Sequence, residues 1–447
     1  GIRVVTLKLQ RHNGSPVRPG GPMGRAVTLL VCGNAEAAGE LAGELGALGF
    51  SARAASACSA APALQADPAD AIIALEPLEG AANLQARAII SLAGMFDGAS
   101  AVVVPPAHPI QIAARVRSLL RLGVLEETAS LRLADLGDAG HLLHKPEQKG
   151  GPISVLYAGP PDPAYLRLEH ALERADAQAV AAFSTFNAFD YLHERAFDAV
   201  VLNTRPKPDI AHTVCSAMRR NTRLYHTPTV LLSHDEVYRA ADEAFARGAS
   251  DILPASLDAD DLAARILALA HERRRRRLSK GLLESCRVPA VLDGETDLFN
   301  ETFGRRHLSS LTDLAQKQGL PLALIGLKAS VPGAAGPAEG RHASGALNQF
   351  ASMLRHCVRA EDLAVRLSAD TFYLALPGTS AADAQVVAAR VAAIAECTAY
   401  EGEDPQTPFR IVLRHEVTDA GAGDKAQTLV ARALAGLHQE RVAVAAV

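Results

Sequence analysis

The chain has 447 residues, nearly half of them apolar, with few aromatics, no tryptophan and a formal net charge of −4. That length exceeds a single hydrophobic core and calls for about two to four domains. The charge balance gives no ground for general nucleic-acid binding. No apolar run reaches membrane-spanning length and no signal-peptide pattern opens the chain, so a cytoplasmic location without membrane insertion is expected.

Residues 1–25 contain HNGSPVRPGGP and read as a flexible extension. Between 26 and 123, the apolar runs Ala26–Val31, Asp70–Leu75 and Ala101–Val104 are expected strands. Ala35–Leu48 has helical spacing, and Ile110–Leu122 reads as an amphipathic helix with arginines on its outer face. Between 152 and 277 five strand–helix units follow, with strands at Ile153–Ala158, Val180–Ser184, Asp198–Leu202, Pro228–Leu232 and Asp251–Leu253. Strands that alternate with helices predict a parallel sheet in each domain. Arg273–Arg277 continue the last helix and read as a linker and docking face. The six cysteines (Cys32, Cys58, Cys215, Cys286, Cys357, Cys397) show no metal-ligand spacing.

The third domain, 283–447, opens on Asp293–Asn300, and Pro321–Gly326 is its first expected strand. Two apolar runs, Leu363–Leu367 and Tyr373–Leu376, flank a turn with Asp370 at its tip, which predicts a β-hairpin. Arg359 and Asp362 form an Arg-x-x-Asp just ahead of it. Alone, that tetrapeptide is an ordinary surface ion pair of small value. At a helix end entering a turn, its guanidinium matches the O6 and N7 of guanine, and its carboxylate accepts from guanine N1–H and N2–H.

The fold class expected is therefore α/β, and the motifs sharpen it. The first two domains resemble response-regulator receivers (flavodoxin-like, parallel-sheet), the first shortened by about one β/α unit. Cys32–Gly33 and Ala158–Gly159 stand where receivers carry two acids. The phosphoacceptor position falls at Leu75 or Glu76 in the first and at Asn203 in the second, so both are expected to be degenerate; Ser233 matches the switch hydroxyl. Glu76 would misplace its oxygen by a methylene, and an amide is no nucleophile. The third domain resembles the α+β GGDEF domain of diguanylate cyclases, through Asp293–Asn300, Arg-x-x-Asp and Ser368–Phe372 (SADTF). In that family the hairpin holds the GTP phosphates and metal, and Arg-x-x-Asp binds the product, cyclic di-GMP.

The resemblance places Gly326 at the first metal ligand, Ala334–Ala335 at an Asn-Asp pair, Ser368 and Ala369 at the hairpin glycines, and Thr371 at a Glu. Asp370 is kept. It thus implies degenerate cyclase positions at Gly326, Ser368, Ala369, Asp370 and Thr371, with no catalytic residues, no metal and no enzymatic activity. It implies cyclic di-GMP as ligand at Arg359, Asp362 and Arg390, with Arg355 and Arg366 close by. It further implies an adaptor of regulated proteolysis in the alphaproteobacterial cell cycle: a homodimer at the cell pole, with RcdA, CpdR, CtrA and ClpXP as partners. A ligand-independent dimeric scaffold and a weak GTP-binding cyclase remain as alternatives.

Overall fold

The computed structural model describes residues 26–141, 151–235, 238–332, 337–400 and 408–438. The extension 1–25, Ala334–Ala335 and the residues after 438 lie outside them. The described residues fall into two compact units, one of 26–123 with 151–277, the other of 124–141 with 278–438.

In the first unit β1 (Thr28–Cys32), β2 (Ser51–Ala55), β3 (Ala71–Ala74), β4 (Ala88–Ser91) and β5 (Ala101–Val102) form a parallel sheet in the order β2-β1-β3-β4-β5. The sheet has five strands where sequence reasoning finds three. β2 reads SARAA and is partly exposed along its length, so it lacks an apolar run. β4 is buried but only four residues long. The shortening lies in the crossovers: β3 to β4 carries a single 3-10 turn, Ala81–Asn83, and β4 to β5 carries no helix. Helices α1 (Ala35–Ala47), α2 (Ala60–Ala66) and α3 (Pro109–Asp138) complete this part. The arginines of α3 do not form a solvent face. Arg115 is buried and bidentate to Glu272 at 2.6 and 3.1 Å, and Gln111 donates to Asp251 at 2.5 Å.

The second sheet of this unit holds β6 (Ile153–Ala158), β7 (Ala177–Ala182), β8 (Ala199–Asn203), β9 (Thr229–Ser233) and β10 (Asp251–Pro254), all parallel in the order β10-β9-β8-β6-β7. Around it lie α4 (Pro163–Arg174), α5 (Thr185–Glu194), α6 (Pro208–Arg220), α7 (Ala241–Ala246) and α8 (Ala259–Ser285). The second strand starts three residues earlier than its apolar pattern suggests, and it ends at Ala182 because Ser184 is spent as the N-cap of α5, its hydroxyl accepting from the Asn187 amide at 3.1 Å. Within the arginine run of α8, Arg274 pairs with Asp198 at 2.6 Å and donates to the carbonyls of Gly151 and Pro152.

Strand register lets the ends of the third strands in the two sheets be compared. Cys32 pairs with Ala74, as Ala158 pairs with Leu202. Leu75, not Glu76, therefore holds the place of Asn203. The two pairs also share a close approach: a Cβ on Gly33 would lie 2.7 Å from that of Leu75, and one on Gly159 2.5 Å from that of Asn203. Glu76 is exposed, and Asn203 donates to the Tyr157 hydroxyl at 2.9 Å.

The second unit contains an antiparallel sheet of β11 (Leu322–Ser330), β12 (Leu363–Arg366), β13 (Thr371–Pro377) and β14 (Val412–Asp419), ordered β12-β13-β11-β14. Its helices are α9 (Glu301–Gln318), α10 (Pro337–Cys357), α11 (Ala381–Cys397) and α12 (Ala426–Ala435). The two-residue alternation of β11 divides the core. Ala323, Ile325 and Leu327 pack with Phe350 and Val391, while Leu322 and Leu324 pack with Leu308, Tyr373 and Leu429. The molecule is thus mixed α/β, with two parallel-sheet receiver-like domains and an α+β third domain.

Candidate ligand site and hairpin

The turn between α10 and β12 is built from its own backbone outward. The Asp362 carboxylate accepts from the Arg359 amide at 2.7 Å, and the Asp362 amide donates to the Arg359 carbonyl at 3.2 Å. This closes a tight turn, leaves the Arg359 guanidinium exposed and buries Asp362. Arg390, exposed on α11, donates to the Cys357 carbonyl at 2.9 Å. Arg359 and Asp362 thus share one turn as an exposed cation and a buried carboxylate, and Arg390 bonds to the carbonyl of Cys357, two residues ahead of Arg359. Burial, with Glu361 next to it, pushes the Asp362 carboxyl up to about 7 against the opposing pull of Arg359 and Arg132.

Two arginines expected nearby are committed elsewhere. Arg355 pairs with Glu284 and with Asp297 at 3.2 Å. Arg366 pairs with Asp293 and Glu295, each at 2.9 Å, and donates to Asn348. Sequence reasoning misses a third. Arg132, near the end of α3, is fully buried and donates to the carbonyls of Ala360 (3.0 Å), Glu361 (2.8 Å) and Asp362 (3.2 Å).

The hairpin forms where the apolar runs predict it, with β12 and β13 paired from Leu363–Ala375 to Arg366–Phe372. At its tip Asp370 accepts from Thr371 (2.7 Å) and Ser368 (3.0 Å), and the Lys328 ammonium lies 3.8 Å away. Partial burial would raise this carboxyl, but the two hydroxyls and Lys328 outweigh it and hold the group below its usual range. Ala369 is exposed.

Lys328 and Gly326 lie two residues apart on β11 and meet different surroundings. It is Lys328 that pairs across the sheet with Thr371, whereas Gly326 pairs with Tyr373 beneath α12. A Cβ at 326 would lie 2.2 Å from the Ala433 carbonyl oxygen. Gly326 is therefore a packing glycine, and the β11 residue that faces the hairpin tip is a lysine. Among the described residues no group of three or more His, Cys, Asp or Glu converges on a point. The Asp370 carboxylate at the tip accepts from two hydroxyls and stands beside an ammonium, so its oxygens are engaged within the hairpin.

Residues 290–441 match the family model of the diguanylate cyclase GGDEF domain. This segment is a GGDEF domain. Over 367 residues the chain is 23% identical to the response regulator PleD of Caulobacter vibrioides, covering 78% of this chain and 77% of PleD. The receiver–receiver–GGDEF architecture is PleD-like. Among solved structures, the coiled coil and GGDEF domain of DgcB from Caulobacter crescentus, in complex with c-di-GMP, is 19% identical with a TM-score of 0.32 and covers 40% of this chain and 92% of its own. A putative response regulator from Chloroflexus aurantiacus is 20% identical with a TM-score of 0.25, covering 27% of this chain and 98% of its own.

These comparisons overturn one expectation. Sequence reasoning, from the substitutions in the hairpin, reads a protein without enzymatic activity. The family model that matches residues 290–441 is that of diguanylate cyclases, and PleD is similar over 367 residues, so the expectation of a protein without enzymatic activity is not upheld. Among the described residues no helix is long and apolar enough to cross a membrane.

Proposed function

We propose that the GGDEF domain binds cyclic di-GMP at the Arg359–Asp362 turn and that the bound ligand regulates the protein. The observation that carries this reading is a buried carboxylate on the turn that also carries the exposed Arg359, with a second exposed arginine, Arg390 of α11, bonded to the Cys357 carbonyl just ahead of it. A planar fork meets guanine O6 and N7 or a phosphate, and the carboxylate accepts the guanine N–H groups. The second oxygen of Asp362 accepts no hydrogen bond from a described residue, which leaves it for such a donor. By resemblance to PopA, a receiver–receiver–GGDEF protein of alphaproteobacteria, the liganded protein would act as a homodimeric adaptor at the cell pole. Its partners in that role would be RcdA and CpdR, and it would help deliver CtrA to ClpXP. Calorimetry with cyclic di-GMP on the full chain, beside Arg359→Gly, tests the binding step. Micromolar or tighter binding that the variant loses supports it, and no binding by the unaltered protein ends it. Partner capture with and without ligand tests the adaptor step.

A second reading, synthesis of cyclic di-GMP from GTP, is favoured by the family match of residues 290–441. Incubation with GTP and Mg²⁺, followed by chromatography for cyclic di-GMP, tests it directly.

A further inference from the structure

Three successive carbonyls rarely converge on one side chain. Those of Ala360, Glu361 and Asp362 all accept from the guanidinium of Arg132. Its Nε–H donates to His307 Nε2 at 3.2 Å, and the guanidinium carbon lies over the Phe299 ring, 5.3 Å from its centroid. His307 must therefore carry its proton on Nδ1, which donates to Asp135 at 2.6 Å, while the other Asp135 oxygen accepts from Ser310 at 2.7 Å. Burial holds His307 neutral, its pKa lowered to about 4, which keeps Nε2 an acceptor at ordinary pH. The chain Asp135–His307–Arg132 thus orients a buried fork on the back of the turn that presents Arg359 and Asp362. Among the described residues no carboxylate pairs with that fork, so pairing with an acid does not explain its burial. The carbonyls it holds do.

We infer that Arg132 is a positioning residue for the ligand turn, holding residues 360–362 in the conformation that offers Arg359 and Asp362 to a guanine dinucleotide. This rests on the reading of the turn as a cyclic di-GMP site. A guanidinium fork can hold several carbonyls in one plane, which a lysine ammonium cannot. Arg132 also sets the charge balance of the turn. The ionisable groups that act on Asp362 are Glu361, which resists its ionisation, and Arg359 and Arg132, which favour it. His307 and Asp135 stand behind Arg132.

The test is calorimetry of the full chain with cyclic di-GMP from about pH 5.5 to 8.5, on the unaltered protein, Arg132→Lys, Arg132→Met and His307→Asn, with thermal unfolding of each. In the unaltered protein, binding strengthens as Asp362 ionises. Arg132→Met weakens binding about tenfold or more and moves the pH midpoint upward, because a favouring cation is gone. Arg132→Lys keeps the midpoint and loses affinity, because charge remains without the fork. His307→Asn keeps a donor to Asp135, releases the Arg132 Nε–H and produces a smaller loss without a midpoint shift. A purely structural role would lower the unfolding temperature without moving the midpoint. Folded Arg132→Met with wild-type affinity and midpoint overturns the inference. If that variant does not fold, wild-type binding by both Arg132→Lys and His307→Asn overturns it. If the unaltered protein does not bind cyclic di-GMP, the ligand reading fails, and amide hydrogen exchange then judges Arg132 alone. Faster exchange at the Arg359 and Asp362 amides in Arg132→Lys supports the clamp, and unchanged exchange overturns it.

Discussion

The turn Arg359–Asp362 and the hairpin tip Ser368–Thr371 lie a few residues apart on the same strand pair, yet they dispose of charge in opposite ways. At the tip the carboxylate of Asp370 is satisfied from within: two hydroxyls donate to it and Lys328 stands beside it. At the turn the carboxylate of Asp362 is buried beside another acid, while Arg359 and Arg390 project outward. A site that has met its own polar needs has little to gain from a ligand. One that holds a carboxylate at a cost, next to exposed cations, gains from a ligand that supplies donors and negative charge.

The largest effect expected from breaking this comparison is at Gly326. A side chain there drives into the Ala433 carbonyl, so Gly326→Asp should destabilise the protein by about 3 kcal/mol or more in urea unfolding. Lys328→Asp should leave the fold intact. Equal tolerance of both substitutions would contradict the close approach of Gly326 to the Ala433 carbonyl.

Two buried groups near the turn should give opposite pH signatures. The Asp362 pKa is raised on folding, so the stability of the unliganded protein falls as pH rises from about 4 to about 7. Asp362→Asn keeps an acceptor for the Arg359 amide and removes the charge. It should therefore gain roughly 1–3 kcal/mol over the parent across that window. The His307 pKa is lowered on folding, so its contribution is present above about 6.5 and is lost as pH falls towards 4. His307→Asn should flatten that acid limb. Thermal melts of both variants against pH check the two signs, and parallel curves for parent and variants would contradict them. The smallest effect is at the tip: Lys328→Met should cost under about 1 kcal/mol, since both partners are partly exposed. The Asp370 carboxyl titration should move upward in an NMR experiment, because a favouring cation is lost.

The hairpin and the second receiver were legible because each strand there is an apolar run bounded by turn residues. β2 of the first sheet was not, since SARAA at an edge carries no apolar signal. Arg359 and Asp362 stood out only through their place before the hairpin, and Arg390 only through resemblance to the family. Arg132 could not be read from sequence. It lies more than two hundred residues from the turn, on a helix whose arginines look solvent-facing, and only the fold reveals that its partners are backbone carbonyls. The arginine pattern of α3 did hold one clue, because Arg115 and Arg132 fall within otherwise apolar stretches. That Gly326 packs against the Ala433 carbonyl was not legible either, because strand register and the placement of α12, not an apolar run, set that approach.

Amide hydrogen exchange of the full chain, with and without saturating cyclic di-GMP, tests the contrast between turn and tip most directly. The account predicts slowed exchange across residues 357–363 and around Arg390, with the amides of 367–371 unchanged. Slowed exchange confined to the hairpin tip, with the turn unaffected, would contradict it.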